Sequence, residues 1–309
     1  MKQERIIVGK ETKYPLNGLL TLPDDVSRPV PAVVFVHGSG ASNLNERVGK
    51  LTPFKDLAEG LAKRGIAAIR YDKRSFTYGR KMLQEKNITV KEETIEDAIL
   101  ATKLLRKDTR IDRNRIFIVG HSMGAMLAPR IDAQGGNYCG MVLMAGSPYK
   151  LEEIILRQNE AAMSGLNKLL QFIAGRQVKK LKKTFSGLYE LTDEEAKKRK
   201  FAGGTTLYYF KEMGEHPAPG FLKLTRKPLL ILQGEKDFQA SAAVDFAGYQ
   251  TLLEGHDTAA FKLYPGLNHA FVPALSDDIN KARKEYSVER HIGDEVIGDI
   301  AQWILNQQA

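Results

Sequence analysis

The chain has 309 residues, of which 43% are hydrophobic and 27% charged, and its formal net charge is +9. These proportions are ordinary for globular proteins and exclude a disordered, collagen-like or coiled-coil chain, while the length suits about two domains or one large fold. The single cysteine, Cys139, excludes an internal disulfide and favours a reducing, cytoplasmic setting. No segment resembles a signal peptide or reaches the ~18 apolar residues of a membrane helix, so we expect no membrane span.

Short β-like segments alternate with helix-like segments along the chain. The first two β-like segments are typical of a hairpin or of edge strands. Several later segments are continuous apolar runs, as in strands that are covered on both faces. The alternation therefore predicts an α/β fold, with a mostly parallel sheet and helices on both faces. The predicted strands are 5–8, 19–22, 32–36, 66–70, 115–119, 141–145, 229–232 and 261–264, and the predicted helices are 53–64, 94–105, 122–133 and 296–305.

The alternation is interrupted once, after the sixth predicted strand. From residue 148 to about 221, helical patterns occur without a convincing strand. An insertion between two strands of a sheet is best explained as a cap over the strand ends. We therefore predict a core formed by 1–147 and 222–309 and a helical cap formed by 148–221. The helical patterns in the cap cover 151–160, 167–183 and 193–200.

Residues 120–124, Gly-His-Ser-Met-Gly, match the pattern G-x-S-x-G between a predicted strand and a predicted helix. A sharp turn at this place would hold Ser122 in a strained conformation with its Oγ clear of the sheet, and a Cβ at Gly120 or Gly124 would clash. We predict that Ser122 is a nucleophile, the alternative being an ordinary serine in a glycine-rich turn. His121 points elsewhere in such a turn, and we interpret it as a packing residue.

A serine nucleophile needs a base and an acid that orients the base, and in this arrangement they follow in the order Ser, Asp or Glu, His. His269 is the only later histidine in a loop shortly after a late strand, so we predict that it is the base. Asp237 follows the predicted strand 229–232 and is the predicted acid. Glu235 and Asp245 are the alternatives.

An oxyanion hole needs two backbone N–H groups that already face the developing charge. We predict that one is the amide of Met123, directly after the nucleophile. The second should come from the loop His-Gly-Ser-Gly, residues 37–40, after the third strand. Ser39 is the predicted donor and Gly40 the near alternative, while His37 is a candidate substrate contact.

Two further groups invite a functional or a structural interpretation. Asp72 and Arg74 end a predicted strand beside the oxyanion loop. They could form a salt bridge that supports this loop, contact an anionic substrate, or form a structural ion pair. In the cap, Tyr208, Tyr209 and Phe210 could line a substrate pocket or pack the cap onto the core.

The segments HGSG, GHSMGA, LQGEKD and PGLNHAF stand in the order and spacing of the α/β-hydrolase superfamily. The chain resembles bacterial serine esterases with a helical cap, relatives of the dienelactone-hydrolase and cinnamoyl/feruloyl-esterase groups. The resemblance covers nearly the whole chain and is weakest in 148–221. It implies an α/β-hydrolase fold and hydrolysis of small to medium carboxylic esters through an acyl-enzyme, without a cofactor.

Several other functions are compatible with parts of this sequence, and its motifs disfavour most of them. The chain has no metal-ligand pattern, phosphate loop or dinucleotide fingerprint, so we expect no metal and no nucleotide cofactor. The same triad can serve a thioesterase, an acyltransferase or a serine peptidase. A non-catalytic hydrolase-like binding protein is the alternative from a different class. We expect a small-molecule ester as the partner and no nucleic acid, and the oligomeric state is left open, with a homodimer as one option.

The net charge is concentrated in the cap. Between residues 176 and 200, nine Lys or Arg stand against four acids, a net charge of +5. This segment is either a solvated face of the cap or a surface that attracts anionic substrates such as esters that carry a carboxylate.

Overall fold

In the computed structural model, which describes residues 1–82, 84–85, 87–201 and 204–307, one eight-stranded sheet organises the chain in the order β1-β2-β4-β3-β5-β6-β7-β8. β2 pairs antiparallel with β1 and β4, and all pairs from β4 to β8 are parallel. The predicted mostly parallel sheet is confirmed. The strands are β1 Lys2–Val8, β2 Leu16–Leu22, β3 Val30–Val36, β4 Ala67–Tyr71, β5 Ile111–His121, β6 Met141–Met144, β7 Leu229–Gly234 and β8 Ala259–Tyr264.

Helices cover both faces of this sheet, because each face presents a row of fully buried apolar side chains. Phe54 and Ile300 lie in the cluster on one face, and Ala101 and Leu127 lie in the cluster on the other. No helix within the described ranges is both long and apolar enough to cross a membrane. The helices are α1 Pro53–Ala62, α2 Arg74–Met82, α3 Glu96–Lys107, α4 Met123–Ile131, α5 Leu151–Ser164, α6 Lys168–Phe185, α7 Asp193–Lys198, α8 Leu207–Glu215, α9 Ala218–Leu222, α10 Ala247–Leu252, α11 Ala282–Glu285 and α12 Asp294–Asn306.

Three helices of the core were not predicted, and their residues show why. α11 has only four residues, too few to show a helical period in the sequence. α2 is mostly polar, has a non-helical residue at Tyr78 and buries only Arg74 and Met82. α10 is short and follows a π-helical turn over Ala242–Phe246. Neither α2 nor α10 carries the regular apolar spacing from which a helix is recognised in sequence.

The described residues between β6 and β7 hold the helices α5 to α9 and an isolated β-bridge between Lys200 and Thr206. Ile154 of α5 and Phe210 of α8 belong to the same hydrophobic cluster as the core residue Leu127. This segment therefore shares a hydrophobic cluster with the helices and strands on one face of the sheet. The division into a core and a cap of 148–221 stays a prediction.

The fold brings four loops together. β3, β5, β7 and β8 lie parallel, so their carboxyl ends point to the same edge of the sheet. The loops that follow these strands carry the oxyanion segment 37–40, the turn at Ser122, Asp237 and His269. This edge is where open α/β sheets bind their ligands.

Candidate active site

Ser122 occupies the sharp turn between β5 and α4. Its φ of 53° and ψ of −120° lie outside the usual range of a residue with a side chain. Its backbone N–H donates to Met144 of the neighbouring strand over 2.8 Å, which fixes the turn to the sheet. A Cβ at Gly120 would overlap the backbone of Gly124, and one at Gly124 would overlap the carbonyl of Val36. The predicted need for both glycines is confirmed.

Asp237 and His269 are in direct contact. His269 Nδ1 lies 2.7 Å from Asp237 Oδ2, and both side chains are buried. The carboxylate also accepts bonds from the side chain of Gln233 at 2.8 Å and from the backbone amides of Gln239 and Ala240 at 2.7 and 2.9 Å. Four donors therefore hold the carboxylate in one position, with one oxygen facing the imidazole.

The alternative acids are engaged elsewhere. Glu235 is exposed and accepts a bond from the amide of Gly266 at 3.0 Å. Asp245 is buried, but it accepts the hydroxyl of Ser147 and pairs with Arg157, both at 2.6 Å. Neither carboxylate is recorded in contact with His269, so the geometry favours Asp237.

A second network, which sequence reasoning missed, holds the loop of His269. The Asn268 side chain accepts bonds from the amides of Ala270 and Val272 at 3.0 and 3.2 Å and donates to Glu285 at 2.6 Å. Glu285 is fully buried and pairs with Arg290 at 3.0 Å. No local motif marks Glu285, because it acts on a loop 17 residues away in the chain.

The segment 37–40 is fixed beside Ser122. A Cβ at Gly38 would lie only 3.1 Å from the Cβ of Ser122, so the two backbones approach closely. The amide of Gly38 already donates to Glu46 Oε1 at 2.7 Å, which removes it from the candidate donors. Ser39 and Gly40 line the same cavity as Ser122 and Met123.

His121 is more than the packing residue that we expected. Its Nδ1 lies 3.0 Å from Glu46 Oε2, and its Nε2 lies 2.8 Å from the carbonyl oxygen of His269. Burial opposes the charged form of both side chains, but their mutual attraction prevails, so the pKa of His121 is raised and that of Glu46 is lowered. The pair therefore ties the oxyanion segment to the loop of His269.

Lys73 supports the oxyanion segment from behind, a role that no local sequence pattern predicts. Its ammonium donates to the carbonyls of Gly38 and Gly40 at 2.9 and 3.1 Å and lies 3.4 Å from Glu93 Oε1. Glu93 Oε2 in turn accepts the hydroxyl of Tyr209, a cap residue, at 2.6 Å.

The interpretation of Asp72 and Arg74 as partners of each other was wrong. Arg74 pairs with Asp97 at 2.5 Å and with Glu96 at 3.1 Å. Asp72 accepts the amide of Leu44 at 2.8 Å and so holds the chain just after the oxyanion segment, without Arg74. β4 ends at Tyr71 and Arg74 begins α2, so strand alternation does not hold the two side chains together, and Arg74 turns to the carboxylates of α3.

The structure does not bring His37 to the cavity. The imidazole is buried between the rings of Phe54 and Tyr71, with centroids 5.0 and 5.7 Å away, and its Nε2 lies 3.0 Å from the carbonyl oxygen of Asn43. Burial lowers the pKa of His37 to about 4, so the ring is neutral at physiological pH. The candidate role as a substrate contact is therefore corrected to a structural one.

A cavity of about 830 Å³ opens between the strand edge and the cap, and Ser122 and His269 both lie on its wall. No hydrogen bond between these two side chains is recorded among the described residues, as is common before substrate binds. Tyr209 and Phe210 line the cavity, as predicted, but Tyr208 does not: its ring lies beneath Lys197 Nζ, 4.7 Å from the centroid. Lys197, Lys198 and Lys200 form a basic part of the wall.

Within the described ranges, no three His, Cys, Asp or Glu side chains are grouped so that they could hold a metal ion.

Comparison with known proteins identifies relatives of this arrangement. A family profile, Hydrolase_4, described as serine aminopeptidase S33, matches residues 27–273. Esterase EstD of Thermotoga maritima is 32% identical over 299 residues, which are 96% of this chain and 68% of that protein. Among solved structures, Est1E from Butyrivibrio proteoclasticus has a TM-score of 0.60 at 14% identity and covers 98% of both chains. An esterase of Pyrococcus furiosus has a TM-score of 0.58 at 15% identity, and the match covers 100% of this chain and 92% of the esterase chain.

Proposed function

The chain belongs to the Hydrolase_4 family, described as serine aminopeptidase S33, and is a carboxylic ester hydrolase of the α/β-hydrolase fold; from that premise we propose that Ser122, His269 and Asp237 are its catalytic triad. The observation that carries the proposal is the 2.7 Å contact between Asp237 and His269 Nδ1, on the wall of the cavity that also exposes Ser122. With Nδ1 engaged by the carboxylate, Nε2 is left to accept the proton of the serine hydroxyl.

The proposed reaction has two halves. Ser122 Oγ attacks the ester carbonyl carbon while His269 takes its proton, and the tetrahedral intermediate collapses as the imidazolium protonates the departing alcohol. A water molecule then attacks the acyl-enzyme and gives its proton to His269, which returns it to Ser122 as the carboxylic acid leaves. Asp237 stabilises the imidazolium in both halves and itself stays ionised.

We propose that the amides of Met123 and Ser39 stabilise the negatively charged oxygen of both tetrahedral intermediates. Met123 begins α4, so its N–H is one of the helix amides without a partner inside the helix. Ser39 lies on the facing loop, and the engagement of the Gly38 amide by Glu46 leaves Ser39 and Gly40 as the candidates.

The charges around the cavity favour an ester substrate over an aminopeptidase substrate. An aminopeptidase must bind the ammonium group of its substrate, which calls for an unpaired carboxylate. Among the residues that the structure describes, two carboxylates lie on the cavity wall and both are already paired, Glu85 with Lys13 at 2.6 Å and Glu93 with Lys73 at 3.4 Å. We therefore place a peptidase second.

We further propose that the cap of 148–221 determines which ester is accepted, and that the ester is small to medium in size. Tyr209 and Phe210 supply an apolar part of the wall. Lys198 and Lys200 are exposed and have no carboxylate partner among the described residues, which favours substrates with a distant anionic group.

We also propose that the protein is cytoplasmic. The single cysteine of the chain supports this location, because proteins of oxidising compartments more often carry paired cysteines.

The substitution Ser122→Ala tests the proposed nucleophile. We expect it to abolish turnover of a short p-nitrophenyl ester, because no other group would form the acyl-enzyme, while the circular dichroism spectrum and melting temperature stay close to those of the wild type. Ser147→Ala, which removes a buried hydroxyl on the same cavity wall, is the control and should remain active. Wild-type rates in Ser122→Ala would contradict the mechanism.

A panel of matched ester, thioester and anilide substrates then separates the candidate activities. We expect the ester to be cleaved with the highest kcat/KM. A preference for the anilide would favour the peptidase, and a preference for the thioester would favour the thioesterase.

A further inference from the structure

We propose that Lys73 is a positioning residue for the oxyanion hole and that Glu93 and Tyr209 connect it to the cap. This inference rests on the proposed function, because it concerns the donor at Ser39. Lys73 itself does not line the cavity: it lies behind the oxyanion segment and is 2% exposed.

The hydrogen bonds of Lys73 determine the direction of one particular amide. The carbonyl of Gly38 and the N–H of Ser39 belong to the same planar trans peptide, so they point in opposite directions. The ammonium of Lys73 holds that carbonyl at 2.9 Å, and Lys73 does not line the cavity whereas Ser39 does. The N–H of Ser39 must then point to the opposite side, where Ser122 and the cavity lie.

The peptide that precedes it in the chain is held as well. The amide of Gly38 donates to Glu46 at 2.7 Å, and Glu46 is paired with His121 at 3.0 Å. The backbone of Lys73 adds another link, because its amide donates to the carbonyl of Ser42 at 3.0 Å. A loop with two glycines is thereby held in one conformation before substrate arrives, which is the condition for effective oxyanion stabilisation.

The charge of Lys73 has a second consequence for the amide. A cation that binds a carbonyl polarises the whole peptide group and makes its N–H a stronger donor, since hydrogen bonds in a chain reinforce one another at low local dielectric. A neutral donor in the place of Lys73 would keep part of the geometry but lose this polarisation.

Glu93 carries the connection to the cap. Burial alone would raise its pKa, but the Lys73 cation and the hydroxyl of Tyr209 lower it overall, so the carboxylate is ionised. Tyr209 belongs to α8 and is itself on the cavity wall, where its hydroxyl also lies 3.7 Å from the sulfur of Met123. An acyl group that contacts Tyr209 therefore acts on a side chain that is three polar contacts away from the oxyanion segment.

The test compares three variants of this network. Lys73→Met removes the donor but leaves Glu93 buried without a cation, which can destabilise the fold. The double variant Lys73→Met/Glu93→Gln removes that unpaired charge, and Glu93→Gln alone shows what the carboxylate contributes. Lys211→Met is the matched control, because Lys211 is also a buried lysine paired with carboxylates, Asp193 and Glu215, but does not touch the oxyanion segment.

The readouts are kcat and KM for a short p-nitrophenyl ester and the affinity for a trifluoromethyl ketone, which forms a hemiketal oxyanion with the nucleophile. In the double variant we expect kcat and the affinity for the ketone to fall together, by about 10²-fold, while KM changes little. Lys211→Met should stay within twofold of the wild type in all three quantities.

Two results would overturn the proposal. If the double variant recovers wild-type kcat, Lys73 serves only to neutralise Glu93. If KM rises while kcat and the ketone affinity are unchanged, Lys73 affects ground-state binding rather than the oxyanion. Failure of the proposed nucleophile would instead appear as activity in Ser122→Ala, so the two claims are tested separately.

Discussion

The strand edge and the cap contribute to the same cavity but are built in different ways. At the strand edge, Ser122, Asp237 and the peptide of Gly38 are each held by backbone geometry or by several hydrogen bonds. On the cap side, the wall is formed by packed aromatic rings such as Phe201 and Phe210, with centroids 4.7 Å apart, and by exposed lysines. We therefore expect the proposed reaction to depend on a few rigid positions, and substrate choice to depend on side-chain packing and charge.

The largest expected effect concerns the strand edge. Asp237→Asn should lower kcat about 10⁴-fold, because an amide can hold His269 in the wrong tautomer and does not stabilise the imidazolium. Glu235→Gln, an equivalent change two residues away on an exposed side chain, should stay within twofold of the wild type. Steady-state kinetics with a short p-nitrophenyl ester measure both. A large loss in Glu235→Gln with an active Asp237→Asn would reverse the assignment of the acid.

The second prediction concerns the stability of the strand edge in acid. His37 has a pKa of about 4 in the folded protein because it is buried, against about 6.5 in the unfolded chain. Between these values the unfolded state binds a proton that the folded state does not, so the free energy of unfolding decreases as the pH falls. The decrease amounts to about 3 kcal/mol from pH 6.5 to 4.

Urea unfolding at several pH values measures this contribution. In His37→Gln, the new side chain can still donate to the carbonyl of Asn43. The free energy of unfolding of this variant should depend less steeply on pH between about 6.5 and 4, by a difference that corresponds to about one proton. Above pH 7 the difference between the variant and the wild type should be constant. Parallel curves for the two proteins down to pH 4 would show that His37 titrates normally in the folded state.

The third prediction addresses the apolar part of the cap. Phe210→Ala should reduce kcat/KM for long-chain acyl esters by about tenfold, because the wall loses an aromatic surface, and should leave short acetyl esters within about twofold. Tyr208→Ala is the matched control on the same helix, since Tyr208 lies off the cavity wall. Equal effects of both substitutions on all chain lengths would mean that the helix packs the cap without selecting the acyl group.

The smallest expected effect concerns the charges of the cap. Lys198→Gln/Lys200→Gln should lower kcat/KM severalfold for an ester with a distant carboxylate at low salt, and the difference from the wild type should vanish at high salt. Lys179→Gln/Lys180→Gln removes the same charge from the cap away from the cavity and is the control. If charged and neutral esters showed equal salt dependence, the basic segment 176–200 would be only a solvated face of the cap, without a role in substrate attraction.

Much of the strand edge could be predicted because its requirements are local. The turn at Ser122 needs glycines at fixed positions on either side, and Asp237 and His269 each follow a strand within a few residues. The continuous apolar runs of the strands predict a sheet that is covered on both faces, as β3 shows by being buried along almost its whole length. Short-range patterns of this kind can be recognised in a single sequence, because they do not depend on which distant residues come into contact.

The supporting contacts could not be predicted because they join distant parts of the chain. Lys73 is 35 residues from Gly38, and His121 is 148 residues from His269. His37 and Tyr208 were assigned to the cavity through sequence neighbours, but adjacent residues point in different directions, and one is buried in the core while the other lies off the cavity wall. The direction of a side chain follows from the packing of the whole fold.

The most direct test of the account is to locate the covalent adduct of an active-site-directed reagent. The wild-type protein is treated with a fluorophosphonate, which phosphonylates an activated serine, and the modified peptide is identified by mass spectrometry. We predict one adduct per chain, at Ser122, with none formed on Ser122→Ala and much slower formation on Asp237→Asn. An adduct at another residue, or equal labelling of Ser122→Ala, would contradict the proposal that Ser122 is the nucleophile.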